Sequence, residues 1–467
     1  MLDVSREDIV DGSVARSLVV LALPLVAQNL VHVADQIIDI FWVGRLGADA
    51  VAAVGLVVPL VGIITAALAA AFVGVQVNVA QHVGADRHDA ANAAVANGVY
   101  LAFAVAIAVA GLLYTYPEVV VSVLDLDPHV ADLAAVYLGI WALSVIPAAV
   151  SDPIEAGFVG FGDSRAALYI NVTAVVVNLV LDPVLIFGVD GLIPGMGVAG
   201  AAYATVAGYA VGGLLAVWMA AGGRSGYRLS LEALRPHAER AREVLTVGVP
   251  TGGQHVARQA VRVVIVAIVA AAGGTAGLAA YTVGARVASL AFIPPQGLSQ
   301  AASSVIGQNL GAGNPRRAHD TTRTAFGIAV AALVVLGVVQ WVVPGAIAHL
   351  FVPGIEGTTL AYTVDYLRIL ALGYWAIGAT YVFEGAFNGA GRTELSMAMT
   401  LTQYWLVRLP IAAVGVYALG MGVHAVFWAV TLSNVVAAVG AGLYYLRSER
   451  NGLLERAADA AGADPAG

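Results

Sequence analysis

The segment Gln28–Gly44, "QNLVHVADQIIDIFWVG", decides how this chain is read. It lies in a run from Leu18 to Trp42 built mostly of Val, Leu, Ile and Ala, interrupted by Gln28, His32, Asp35 and Asp39 at spacings of four, three and four. At 3.6 residues per turn these four side chains fall within about 60° of one another on a helix. Each acid at the centre of a bilayer costs about 2.5–3.5 kcal/mol on insertion scales. Two acids on one stripe therefore predict the wall of an ion-accessible cavity, not a lipid-facing surface.

The rest of the chain fits that setting. Of 467 residues, 60% are hydrophobic and 11% charged, less than half the charged share of a soluble domain. Apolar runs long enough to cross a core about 30 Å thick recur along the whole length. They predict an all-α polytopic membrane protein with twelve spans, near 18–43, 50–75, 93–114, 133–157, 166–188, 198–220, 243–270, 276–305, 320–343, 362–388, 394–417 and 423–446. The first seventeen residues are polar and acidic, without the apolar stretch of a cleavable signal. There is no Cys for disulfides or thiolate metal sites.

All 22 basic residues are Arg. With the N-terminus placed in the cytoplasm, sixteen fall in cytoplasmic segments and tails, one (Arg45) outside and five within spans: Arg258, Arg262, Arg286, Arg368 and Arg408. This asymmetry predicts a multi-pass protein of the cell membrane with both termini cytoplasmic.

The sequence also repeats itself. "VAQHVGADRHDA" (79–90) matches "IGQNLGAGNPRRA" (306–318), "VLDPVLIFG" (180–188) matches "VRLPIAAVG" (407–415), and "GMGV" occurs at 195–198 and 420–423. The offset stays within 225–229 residues. Two halves of six spans each keep one orientation, so they form parallel repeats. The expected lobes are 14–221 and 243–447, joined by a linker at 222–242 with an amphipathic stretch on the cytoplasmic surface and followed by a tail at 448–467.

"DIFWVGRLG" closing span one, "QHVGADR" and "GQNLGAGN" after spans two and eight, and "GFVGFGDS" after span four together resemble the multidrug and toxic compound extrusion (MATE) transporters, over residues 14–447. The resemblance implies two six-helix bundles around a central cavity and cation-coupled antiport with alternating access. The DinF-like branch of that family sets its cation site in the N-terminal lobe; residue by residue, this site falls on Asp39, Asn178, Asp182 and Thr205 here. The NorM-like branch carries acids on spans seven and ten, and Arg258 and Ile377 occupy those positions instead.

Residue chemistry adds to this reading. Asn178 and Asp182 share a helix face, and Pro183 deprives the Leu179 carbonyl of its helical partner. Amide, carboxylate and carbonyl oxygens suit a hard cation such as Na⁺, by extension from calcium and magnesium. Asp35 lies one turn deeper than Asp39. A carboxyl group desolvated beside a like charge holds its proton more tightly than one in water, as a proton carrier must. His32 relays protons or simply hydrogen-bonds. Pro24 gives span one a second candidate hinge besides Pro183.

Span seven repeats span one with Gln254 opposite Gln28, but sets Arg258 and Arg262 where span one has His32 and Gln36. These arginines either neutralise Glu384, face Asp35, or recognise an anionic group. Gln28, His32, Gln254, Arg258, Arg262 and Glu384 are the expected substrate-cavity residues. Glu155 is expected near the interface at the end of span four.

No nucleophile–base pair, metal-ligand helix motif, phosphate loop or nucleic-acid footprint occurs, and the glycines near 272–275 read as a loop. The expected protein is therefore not an enzyme. It is a monomeric antiporter in the lipid bilayer, exporting organic, amphipathic compounds against H⁺ or Na⁺ without a cofactor. A flippase of lipid-linked precursors is the alternative, to which basic cavity residues would be suited.

Overall fold

The structure is a computed structural model that describes residues 5–122, 126–228 and 235–462, apart from the side chains at positions 59, 63, 66 and 67. The fold is helical. Hydrocarbon offers the backbone no hydrogen-bond partner, so each segment satisfies its own N–H and C=O groups by coiling. Spans one to three are the helices Val14–Gly44, Ala48–Gly84 and His88–Thr115. Span four is broken into Pro128–Ala142 and Val145–Phe161, which meet at 45°. Spans five and six are Ser164–Phe187 and Val198–Ala221, linked by a short antiparallel pair of two-residue strands.

The second half follows the same plan. Spans seven and eight lie in one long helix, Ala238–Ala291, that departs from helical geometry only at Gly274, and span eight continues through Ile293–Gly311. The loop expected near 272–275 is thus a break at a single residue. Span nine is Pro315–Val342. Span ten is broken like span four, into Gly357–Ala371 and Tyr374–Gly389, at 50°. Span eleven occupies 393–418 and contains two π-helical stretches, Thr402–Arg408 and Val414–Ala418. Span twelve is Val423–Arg450.

The duplication is visible in the backbone. The breaks in spans four and ten lie 229 residues apart, inside the repeat offset. Both "GMGV" motifs enter the following helix through a glycine at positive φ, Gly197 (57°) and Gly422 (61°), a conformation that costs a side-chain-bearing residue strain.

The described residues form two compact units, the first of 5–7 with 23–252 and the second of 8–22 with 253–462. Their limits differ from those expected from hydropathy, and local contacts explain why. In the first unit, Gly74 and Gly248 let the backbones of span two and the start of span seven touch, Gly74 against the Val244 carbonyl and Gly248 against that of Ala70. In the second, Arg317 donates to the carbonyls of Ile9 (3.0 Å) and Gly12 (2.8 Å), which ties the N-terminal segment to span nine. The chain thus changes unit within span one just before Pro24 and within span seven just after Pro250.

The interior of each unit is Ala, Val, Leu and Ile with buried aromatics, including Tyr137 and Trp141 in the first and Tyr366, Tyr374 and Phe427 in the second. The tail contains a helix, Leu453–Gly462, packed on spans eight and nine. Of the expected linker 222–242, residues 229–234 lie outside the described residues and 238–242 already belong to the helix of span seven.

Candidate functional site: a buried oxygen cluster and a mirrored glutamate pair

In the first unit, span five stays one helix through Pro183, its N-terminus capped by Asp163, whose Oδ1 accepts from the Ala166 N–H at 3.0 Å. Asn178 and Asp182 stand one turn apart on its buried face, 5% and 1% exposed. Asn178 Nδ2 donates to Thr205 Oγ1 on span six (3.3 Å), and that hydroxyl donates to the Ala201 carbonyl (3.1 Å). The amide nitrogen is thereby engaged, while Asn178 Oδ1 has no donor. Both carboxylate oxygens of Asp182 and Oδ1 of Asp39 are likewise buried without one.

The Asp39 and Asp182 carboxyl groups lie against each other, with Asp35 in electrostatic reach of both. Two ionised carboxylates cannot hydrogen-bond, because neither holds a proton; with one proton shared they can. A buried acceptor left unsatisfied costs about 1–3 kcal/mol, so four such oxygens in one place favour whatever neutralises them, a proton or a hard cation. Tyr137, on span four, faces all three acids and went unnoticed in the sequence.

Gln28 and His32 contribute to a second group. Gln28 Nε2 and Asn171 Nδ2 both donate to Glu155 Oε2, at 3.3 and 2.6 Å, and His32 interacts with Asn171. Glu155 is 5% exposed, which corrects its expected place at an interface: its charge is held by two amides, not by water. Asp152, one turn away, and Tyr209 on span six complete this group.

The second unit holds the counterpart. Gln254 Nε2 donates to Glu384 Oε1 at 2.7 Å, and Arg258 Nη2 donates to the same oxygen at 3.2 Å. Of the roles open to Arg258, the structure shows pairing with Glu384. Gln28 and Gln254 are 226 residues apart, and Glu155 and Glu384 are 229 apart. The Gln–Glu bond is therefore duplicated, and the repeat offset was the signal by which Glu155 was findable. Ile377, at a position where the NorM-like branch has an acid, is a buried core residue. The residues expected in one cavity thus form two groups, one in each unit, and Arg262 is exposed on span seven.

Comparison with known proteins agrees with this architecture. A protein from Pseudomonas aeruginosa named as a probable multidrug resistance protein NorM is 30% identical over 90% of this chain and 86% of its own length. An FAD transporter from Shewanella oneidensis is 26% identical over 94% of this chain and 96% of its own. Among solved structures, a MATE protein in its bent conformation superposes with a TM-score of 0.90 at 23% identity, covering 98% of this chain and all of that one. A MOP superfamily transporter from Pyrococcus furiosus gives 0.89 at 23% identity, over 97% and 99%. The MatE family model matches residues 24–184 and 250–414, in step with the two repeats, and the chain therefore belongs to the MatE family of multi-pass membrane transporters and is not an enzyme.

Proposed function

We propose that the protein is a cation-coupled antiporter of the DinF-like kind, exporting organic, amphipathic compounds across the cell membrane by alternating access. The observation that carries this reading is the set of donor-less buried oxygens on Asp39, Asn178 and Asp182. A site that is costly when vacant and relieved by H⁺ or Na⁺ can bias a two-state protein, because a ligand shifts an equilibrium only by its differential affinity for the two states. Asp35 lies beside the cluster and extends it toward an entry path, and Thr205 fixes the Asn178 amide so that its oxygen is presented.

The moving element is span one. It changes compact unit directly before Pro24, whose missing N–H frees the Val20 carbonyl and weakens the helix at that point. Pro183 provides a second weak point, next to Asp182. Both termini lie in the cytoplasm on the arginine distribution, and the protein works as a monomer.

Relatives named for multidrug resistance and for FAD bracket the substrate as an organic molecule with a large apolar or aromatic part. The flippase alternative loses weight because Arg258, one of the two arginines that favoured it, is engaged by Glu384. The test is dye efflux from everted vesicles under an imposed sodium or proton gradient, comparing wild type with Asp39→Asn and Asp182→Asn at equal protein level. Gradient-dependent efflux lost in both variants is expected; near-wild-type efflux in both overturns the assignment.

A further inference from the structure

The second unit gathers charge of the sign opposite to the first. Tyr404 lies in electrostatic reach of Arg258, Arg262 and Arg408 together, Tyr281 in reach of Arg262 and Arg408, and Tyr381 in reach of Arg258, Arg262 and Glu384. Glu384 neutralises one of the three guanidinium groups and is committed to Arg258. Among the described residues Arg408 donates to neutral groups, Ser433 Oγ at 2.9 Å and Asn434 Oδ1 at 2.8 Å, and its guanidinium lies 4.1 Å from the centre of the Tyr404 ring. Arg262 makes no ion pair among the described residues. Two cations within the spans thus lack a counter-charge.

Reaching water at a span end does not account for them. Arg262 sits about 18 Å along the helix axis from the break at Gly274, and Arg408 about 15 Å from the end of span eleven at Ala418, farther than an arginine side chain reaches. Span eleven is also locally unwound where it matters. Its first π-helical stretch, Thr402–Arg408, contains Tyr404 and ends on Arg408, and such bulges recur at functional sites. Neutral anchors hold the Arg408 guanidinium over the Tyr404 ring, and no acid engages it among the described residues. A planar guanidinium so placed matches the two oxygens of a phosphate or carboxylate. Tyr281, Tyr381 and Tyr404 supply ring faces close by for stacking.

Resting on the transport reading above, we propose that Arg262 and Arg408, with Tyr404 and Tyr281, form an anion subsite that takes the phosphate or carboxylate of an aromatic anionic substrate. The cation site and this subsite then lie in different units, each with its own sign of charge.

The experiment compares two fluorescent probes with one ring system, flavin mononucleotide and riboflavin, which differ by a phosphate. Binding is read by fluorescence quenching on the purified full-length protein in lipid nanodiscs. The mononucleotide is expected to bind about tenfold or more tightly than riboflavin, the effect of a single charge-assisted hydrogen-bonded pair. Arg262→Gln and Arg408→Gln are expected to remove the preference, each variant binding the two probes within about twofold of one another. Arg408→Lys keeps the charge and loses the fork, and is expected to retain part of the preference, which guards against a folding defect at Arg408. Equal binding of the two probes to wild type, or an undiminished preference in Arg262→Gln and Arg408→Gln, overturns the subsite. Gradient-driven dye efflux by the same wild-type protein is measured in parallel. Efflux without a phosphate preference overturns the subsite alone, and absence of both overturns the transport reading with it.

Discussion

Asp182→Asn separates a coupling site from a structural one, because the two readings give opposite signs for stability. The side chain keeps its shape, loses one charge and gains an amide donor. In the wild-type protein Asp182 is 1% exposed and neither of its oxygens has a donor, while Asp39 beside it also carries an unsatisfied oxygen. The new amide N–H₂ points into that gap and can donate to the Asp39 carboxylate, a charged hydrogen bond worth about 1.5–3 kcal/mol. One like-charge repulsion disappears as well. The variant is therefore expected to be more stable than wild type by about 1–3 kcal/mol in the absence of sodium. Sodium should work against that gain. A cation at a hundred times its dissociation constant stabilises the protein that binds it by about 2.7 kcal/mol, and a protein without the site gains nothing. The assay is thermal unfolding of purified protein across a sodium titration, paired with efflux from everted vesicles under each gradient. A variant less stable than wild type without sodium, or one that keeps both the sodium-dependent rise and gradient-driven efflux, refutes the reasoning.

Other perturbations test neighbouring parts of the argument. Glu384→Gln strands Arg258 and is expected to lower stability by about 2 kcal/mol, below the range for a fully buried pair because both side chains keep some exposure. Its gradient-driven efflux should fall less than that of Asp182→Asn, and a larger fall moves coupling to the second unit. Gly248→Ala drives a methyl group into the Ala70 carbonyl and is expected to cost about 1–3 kcal/mol, read as a lower melting temperature; an unchanged melt shows that spans two and seven separate freely there. Asp35→Asn is expected to weaken the pH or sodium dependence of substrate affinity, while a change at the neighbouring apolar Ile38 leaves it intact. Dependences unchanged in Asp35→Asn make the stripe structural.

Much of the fold was legible because a bilayer leaves the sequence few options. Twelve apolar runs and a repeat offset near 227 residues fix helix number and the pairing of halves. What stayed hidden was set by packing. The breaks in spans four and ten fall at Leu143–Ser144 and Leu372–Gly373, inside apolar runs where single Ser and Gly residues are too common to mark a break. The π-helical turns of span eleven leave no mark in composition. The site was half legible. Asp39, Asn178, Asp182 and Thr205 came from resemblance, and the Asn–Asp spacing with Pro183 gave them a physical reason. Tyr137 and Tyr209 looked like ordinary core aromatics, and only their placement beside buried acids distinguishes them. Glu155 was misplaced because its position near the end of span four suggested solvent, whereas Gln28 and Asn171, from two other helices, enclose it.

The duplicated Gln–Glu bond shows how one ancestral helix pair supports two kinds of chemistry. Gln28 holds Glu155, and Gln254 holds Glu384, between equivalent spans. An amide donor satisfies a carboxylate without neutralising it, so the charge state is left to the third partner. In the first unit that partner is Asn171, again neutral, with the basic residue of the stripe, His32, reaching only Asn171. No fixed positive charge pairs with that glutamate among the described residues. In the second unit the residue opposite His32 is Arg258, a permanent cation that pairs with Glu384. One substitution on one helix face thus sets an ion pair where the other unit has a network of neutral donors. The same face carries Arg262 one turn further, where span one has Gln36. With Glu384 committed to Arg258, Arg262 makes no ion pair among the described residues, and an anion from outside the protein is its natural partner. At this pair of positions the difference in polarity follows from which basic residue, histidine or arginine, stands four residues after each glutamine.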